Sequence, residues 1–257
     1  MSPTREPASS PIPLLSPDAF AHLPALAGKI VEPEKSFFRL SRERMSEFDR
    51  LARERGLPPD WRLTDEAREA TRAAAMARHT GDLWLFAYGS LMWDPAVHIA
   101  EIRTGRLQGY QRRFCLKIQI GRGSTEKPAL MAALDQGGEC YGLVYRIAAD
   151  QVDRETEILW MREMIAGSYV PTFVPVDTPQ GPVEALAFVV NRQSRQFYEA
   201  TAEETIRLIA SGKGMVGTSL EYLEKLAERL ELVGLSDPAM AELLTRTRMH
   251  ALHSAGT

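Results

Sequence analysis

The sequence predicts an α+β fold, and three observations carry the prediction. Short apolar runs of strand length recur from Leu83 to Val190. Helical spacing interrupts them once, over 149–164, and then dominates from residue 201 onward. Strands and helices therefore do not alternate in the regular way a doubly wound sheet requires. With 257 residues, 44% hydrophobic and 25% charged, the chain has the composition of a soluble globular protein with a sizeable core.

Taken in chain order, nine of the sixteen prolines fall within residues 1–59, which makes 1–27 an irregular, proline-rich leader with little able to pack. Over 41–55 charged residues alternate with Met45, Phe48 and Leu51 at helical spacing. A second helix is expected over 64–79, capped by Thr64, with Asp65 and Glu66 at the positive end of its dipole and Gly81 ending it. Residues 28–80 thus read as a helical extension. At Leu83 the pattern changes to a continuous apolar run ending at Gly89-Ser90, the mark of a buried strand that turns sharply. Further strands are expected at 100–107, 109–118, 129–135, 139–147, Tyr169–Val176 and Val183–Val190, the last two joined by a Thr178-Pro179-Gln180-Gly181 turn. The tail reads as helices at 201–211, Ser219–Leu232 and 238–252.

Composition also excludes. Against 34 Asp+Glu stand 31 Lys+Arg, a net charge of −3, so no basic surface recommends nucleic acid or an anionic membrane as partner. No apolar run approaches the roughly 20 residues that span a bilayer, and no apolar stretch after Met1 suggests a secretory signal. Cys115 and Cys140 are too few for a disulfide framework, so a cytoplasmic home is expected. Of five histidines only His250 and His253 lie near each other, which argues against a metal site. Ser211-Gly212-Lys213-Gly214 lacks the spacing of a phosphate loop and reads as a turn between helices.

Two places carry candidate chemistry. In Tyr88-Gly89-Ser90-Leu91 a Gly-Ser step leaves a buried strand, where successive N–H groups suit a carboxylate or an oxyanion, or simply form a turn. Ser90 lacks the Gly-x-Ser-x-Gly context of a nucleophile elbow, which disfavours a serine hydrolase. The second is Glu163, which a helical wheel puts on one arc with Val152, Leu159 and Trp160, whereas Glu155 and Arg162 point away from that arc; a second apolar stretch at Ile158, Met161 and Ile165 predicts cover on two sides. A carboxyl among apolar side chains has its pKa raised toward the range useful for proton transfer. The alternative is a buried glutamate paired with a strand arginine, Arg112 or Arg113.

Together these residues resemble the ChaC-type γ-glutamylcyclotransferase family, the enzymes specific for glutathione. Phe86-Ala87-Tyr88-Gly89-Ser90-Leu91-Met92-Trp93 is similar to the family's Phe-Gly-Tyr-Gly-Ser-Leu-Ile-Trp signature. Gly109-Tyr110 with Arg112-Arg113-Phe114, Gly142–Arg146, Arg162-Glu163 with Gly167-Ser168-Tyr169, and Glu221-Tyr222-Leu223 follow in family order, covering about 83–235. The family commonly reads Arg-Glu-Lys-Gly-Gly-Tyr where this chain has the longer Arg162-Glu163-Met164-Ile165-Ala166-Gly167-Ser168-Tyr169.

The resemblance implies a small barrel-like sheet with helices outside, in a catalytic domain spanning 81–257. It implies conversion of glutathione to 5-oxoproline and Cys-Gly without metal or organic cofactor. Glu163 would be the catalytic acid/base, Tyr88, Gly89, Ser90 and Leu91 would hold the γ-glutamyl group, and Arg113 and Tyr222 would support substrate. Two alternatives stand beside it: a cyclotransferase for other γ-glutamyl peptides or amines, and a non-catalytic regulatory binding protein on the same fold. In the latter, residues 1–80 would be the docking surface for a protein partner.

Overall fold

The computed structural model describes residues 15–255 apart from residue 55. The start of the leader, residues 1–14, and the last residue of the helix expected over 41–55 lie outside the described residues. Two helices come first, α1 (Arg42–Glu54) and α2 (Asp65–Met76). The sheet strands β1 (Leu83–Ala87), β2 (Glu101–Ile118) and β3 (Ala129–Ile147) follow, then α3 (Val152–Glu163), β4 (Tyr169–Val176) and β5 (Val183–Val190). The tail is α4 (Ala202–Ser211), a minimal hairpin of β6 (Lys213–Gly214) and β7 (Gly217–Thr218), α5 (Ser219–Leu232) and α6 (Pro238–Ala255). Thr64 caps α2 as expected, accepting the Ala67 N–H at 3.1 Å, and capping boxes open α4 (Thr201 with Glu204) and α5 (Thr218 with Glu221).

The five long strands form one sheet in the order β2-β3-β1-β5-β4, antiparallel except where β1 and β3 meet β5 in parallel. It curls into a half-barrel, and a bridge between Arg106 and Asp177 links β2 to the chain just beyond β4. Two pairs of expected strands are in fact two long ones. Gly109, at φ 79°, and Gly137 and Gly138, at φ 108° and 64°, take left-handed conformations that shift the register without ending the ladder. The residues read as breaks are the bends that let β2 and β3 wrap the core.

Two further expectations are corrected. The stretch 211–214 is not a plain turn between helices, since Lys213 and Gly214 pair with Thr218 and Gly217. The leader packs over its described part: 3-10 turns at Pro17–Phe20 and Pro24–Leu26 bury Ala19, Phe20 and Leu26, because prolines at the first helical positions lose no hydrogen bond there and leave the apolar residues free to turn inward. Residues 28–80 are also tied in. Leu26, Ile30, Leu40 and Met45 join the same core as Trp160 and Phe188. The N–H groups of Val31 and Leu63 donate to Trp93 O (2.9 Å) and Ile165 O (2.7 Å). Trp160 Nε1 donates to Thr71 Oγ1 at 3.1 Å, seating α2 on α3. The N-terminal segment therefore closes one side of the fold.

Candidate active site

The apolar run of β1 is buried on both sides and stops at Gly89, where the chain tightens into a 3-10 turn over Ser90–Met92. Gly89 is needed for a close approach: a Cβ there would lie 2.7 Å from the Tyr222 hydroxyl. Tyr222 comes from α5 and is buried edge-on between Trp93 and Phe114, with ring centroids 5.5 and 6.1 Å away.

Helix α3 delivers the charged pair. Its last residue, Glu163, keeps 13% of its side chain accessible, and its Oε1 lies 2.9 Å from Arg162 Nε. Burial pushes the Glu163 carboxyl above its ordinary value, and the Arg162 guanidinium only partly offsets that effect. Arg162 also donates to Ser90 Oγ at 2.9 Å and to the Asp94 carbonyl, and stacks over Phe38 at 4.7 Å. One guanidinium thus joins the Gly-Ser turn, the carboxylate and the N-terminal segment. Asp94, also buried, accepts from Ser36 Oγ at 2.6 Å. On the far side Tyr88 donates to Phe188 O at 2.6 Å, and its hydroxyl lies in hydrogen-bonding reach of Tyr169. Burial first, and the nearby charge of Glu163 among the further causes, raise the pKa of both phenols, so both are neutral donors at ordinary pH.

These groups face a cavity of about 320 Å³, within the range of about 300–1,000 Å³ typical of small-molecule sites. Ser90, Arg162, Glu163, Ser168, Tyr169 and Tyr222 line its polar part. Of the residues singled out from the sequence, Glu163, Ser90 and Tyr222 meet here. Gly89 touches Tyr222, Leu91 turns into the core, and Tyr88 reaches the site through Tyr169. Arg113 is elsewhere. It pairs with Asp135 at 2.5 Å and lines a separate cleft against α6. Arg112 is likewise taken, by Asp237, Tyr88 O and Tyr141 O, so neither strand arginine is the partner of Glu163.

Glu155 and Arg162, which the helical wheel sets away from the Glu163 arc, are nonetheless both buried, because α3 is covered on a second side as well, where Ile158 and Met161 are buried like Leu159 and Trp160. The signal that could have found Arg162 is its place beside Glu163 in the quoted motif, and for Tyr169 its place in the same stretch. The aromatic residues of 37–61 gave no chemical signal at all. Among the described residues no three His, Cys, Asp or Glu side chains stand together to hold a metal ion, and no helix is long and apolar enough to cross a membrane.

The family described as ChaC-like protein matches residues 83–250. A glutathione-specific γ-glutamylcyclotransferase of Escherichia coli (strain K12) is 37% identical over 187 residues, covering 71% of this chain and 81% of that protein. Glutathione-specific γ-glutamylcyclotransferase 1 of Homo sapiens is 36% identical over 173 residues, covering 64% and 78%. The crystal structure of a γ-glutamyl cyclotransferase specific to glutathione from yeast superposes with a TM-score of 0.62 at 21% identity, over 68% of this chain and 99% of that one, and shows the shared fold. On its matched span and its relatives, the chain belongs to the ChaC-like protein family.

Proposed function

We propose that this chain is a γ-glutamylcyclotransferase that degrades glutathione to 5-oxoproline and Cys-Gly, with Glu163 as general acid/base. One observation carries the reading: a carboxyl whose pKa burial raises stands at the polar end of a cavity, beside a Gly-Ser turn, in a chain whose relatives bear that activity in their names.

The chemistry asks little of the protein in the way of a nucleophile. The substrate's α-amine attacks its own γ-carbonyl carbon, a C–N bond forms to close a five-membered ring, and the amide C–N bond to the cysteinyl nitrogen breaks. Intramolecular attack in good geometry reaches effective molarities of about 10⁵–10⁸ M, so holding the glutamyl chain folded is a large share of the task. Glu163 takes a proton from the attacking amine and returns it to the departing nitrogen. A raised pKa suits both halves of that exchange, because the group must accept and release a proton within one turnover.

The turn at Tyr88–Leu91 holds the γ-glutamyl group. N–H groups at the start of a helical turn have no partner within it, so those of Gly89, Ser90 and Leu91 suit the glutamyl carboxylate or the oxyanion. Arg162 positions both Ser90 and Glu163, and Tyr222 packs the turn from behind. Residues 15–80 belong to the same catalytic body, supported by the core they share with α3 and the walls they give the cavity. A cytosolic location belongs to the same proposal, in keeping with two buried free thiols, Cys115 and Cys140.

The test is product identity. Purified chain incubated with millimolar glutathione should yield 5-oxoproline and Cys-Gly in equal amounts, and faster than from γ-glutamyl-alanine. No product from a folded chain would refute the assignment.

A further inference from the structure

The polar side chains of the cavity include those at the Gly-Ser turn and the end of α3, together with Ser168, Tyr169, Gln196 and Tyr222. Most of the remaining wall is apolar, and much of it comes from two places: the N-terminal segment, through Phe37, Phe48 and Trp61, and the Ile118–Ile120 and Met215–Val216 region of the sheet and its hairpin. The N-terminal part lies outside the span that matches the family. Among the described residues six large apolar side chains are exposed, and two of them, Phe37 at 42% and Ile120 at 36%, stand at this one cavity. Phe37 is held there by its neighbours, with Phe48 tilted against it at 6.1 Å and the Arg44 guanidinium over its ring at 4.9 Å. Exposed apolar side chains gathered beside a polar centre mark a binding surface, since leaving them in water is unfavourable until something covers them.

Unsubstituted glutathione does not cover them well. Beyond the scissile amide it offers a second amide, a carboxylate and a thiol, and only the small CH₂–SH group gains from an apolar wall. We infer that this wall is a subsite for an apolar group carried on the cysteine sulfur, so that the chain takes S-alkyl and S-aryl conjugates of glutathione, with Phe37, Phe48, Ile120 and Met215 receiving the substituent. The inference rests on the reading of Glu163 and the Gly-Ser turn given above. The sulfur takes no part in the reaction: the α-amine nitrogen bonds to the γ-carbonyl carbon, the bond to the cysteinyl nitrogen breaks, the proton passes from the first nitrogen to the second, and S-substituted Cys-Gly leaves.

The experiment is a series of S-methyl, S-propyl and S-hexyl glutathione, with kcat/KM measured by 5-oxoproline release and Kd by calorimetry. Burial of a methylene corresponds to about fourfold per CH₂, so both quantities should improve along the series by up to that factor per carbon. Phe37→Ala and Ile120→Ala, at positions exposed enough to spare the fold, should flatten the slope. A flat or declining slope in the unaltered chain overturns the subsite, as does a slope that both variants leave intact. If the folded chain turns over neither glutathione nor any conjugate, the cyclotransferase reading fails. The Kd series still decides the subsite, which stands if affinity climbs with chain length and falls if it does not.

Discussion

Arg39 and Glu155 provide the sharpest test of whether the N-terminal segment is part of the fold. The two side chains form a double-pronged pair, Nη1 to Oε2 at 2.7 Å and Nη2 to Oε1 at 3.0 Å, with side-chain exposures of 9% and 0%. Arg39 also donates to Ala96 O at 2.8 Å, and the His98 N–H donates to Glu155 at 3.1 Å. At an effective dielectric of about 20, the attraction at this separation is about 6 kcal/mol. Desolvation of the two ions cancels much of it, yet removing Arg39 leaves the Glu155 charge buried and unpaired, and removing Glu155 leaves Arg39 only the half-exposed Glu34 at 3.5 Å, at a cost of up to about 3–5 kcal/mol. For a chain of this size that corresponds to a Tm about 6–20 °C lower. Urea and thermal unfolding of Arg39→Met and Glu155→Gln should each show the loss, whereas Arg39→Met/Glu155→Leu, which removes both charges, should recover most of it. Single variants that each lose less than about 1 kcal/mol, a typical value for an exposed pair, would refute the reasoning. The segment would then behave as a loosely attached arm.

Three further outcomes follow from the same geometry. Glu163 has a higher pKa folded than unfolded, so it binds its proton more tightly in the native state, and its own contribution to stability is lost as pH climbs from about 4.5 through the raised value; the stability of Glu163→Gln relative to wild type should therefore increase over that window, and a pH-independent difference in urea unfolding would contradict the burial of this carboxyl. Gly89→Ala sets a methyl against the Tyr222 hydroxyl and should cost about 1–3 kcal/mol with a fall in kcat/KM, and Tyr222→Phe combined with it should restore stability if that contact is the cause. Arg113→Ala should leave kcat/KM for glutathione in place because Arg113 lines a different cleft, and a large rise in KM would reinstate it as a substrate ligand.

The sequence carried the fold wherever local chemistry and tertiary context agree. β4 and β5 lie where the Thr178–Gly181 turn put them, and α5 spans the residues expected of it, Ser219–Leu232. It failed where glycine has two meanings: at Gly109 and Gly137-Gly138 a positive φ bends a strand, and nothing in the local pattern separates that from a strand end. On α3 both expected apolar sides are present, but nothing in the local pattern showed that the charged Glu155 and Arg162 are buried with them. The loop and Glu163 were legible, the first through its Gly-Ser step and the second through its apolar neighbours. Phe37, Phe38 and Trp61 were not, because an isolated aromatic residue in a connecting segment signals packing whichever cavity it walls. Their role exists only once the segment has folded back onto the turn after β1.

The most direct test of the central claim is the initial rate of 5-oxoproline formation from glutathione by the wild-type chain and by Glu163→Gln, both shown to be folded. Removing a general acid/base costs about 10²–10⁴-fold, so the account predicts a loss of kcat in that range with glutathione still bound. A variant that retains wild-type kcat would contradict the assignment of proton transfer to Glu163.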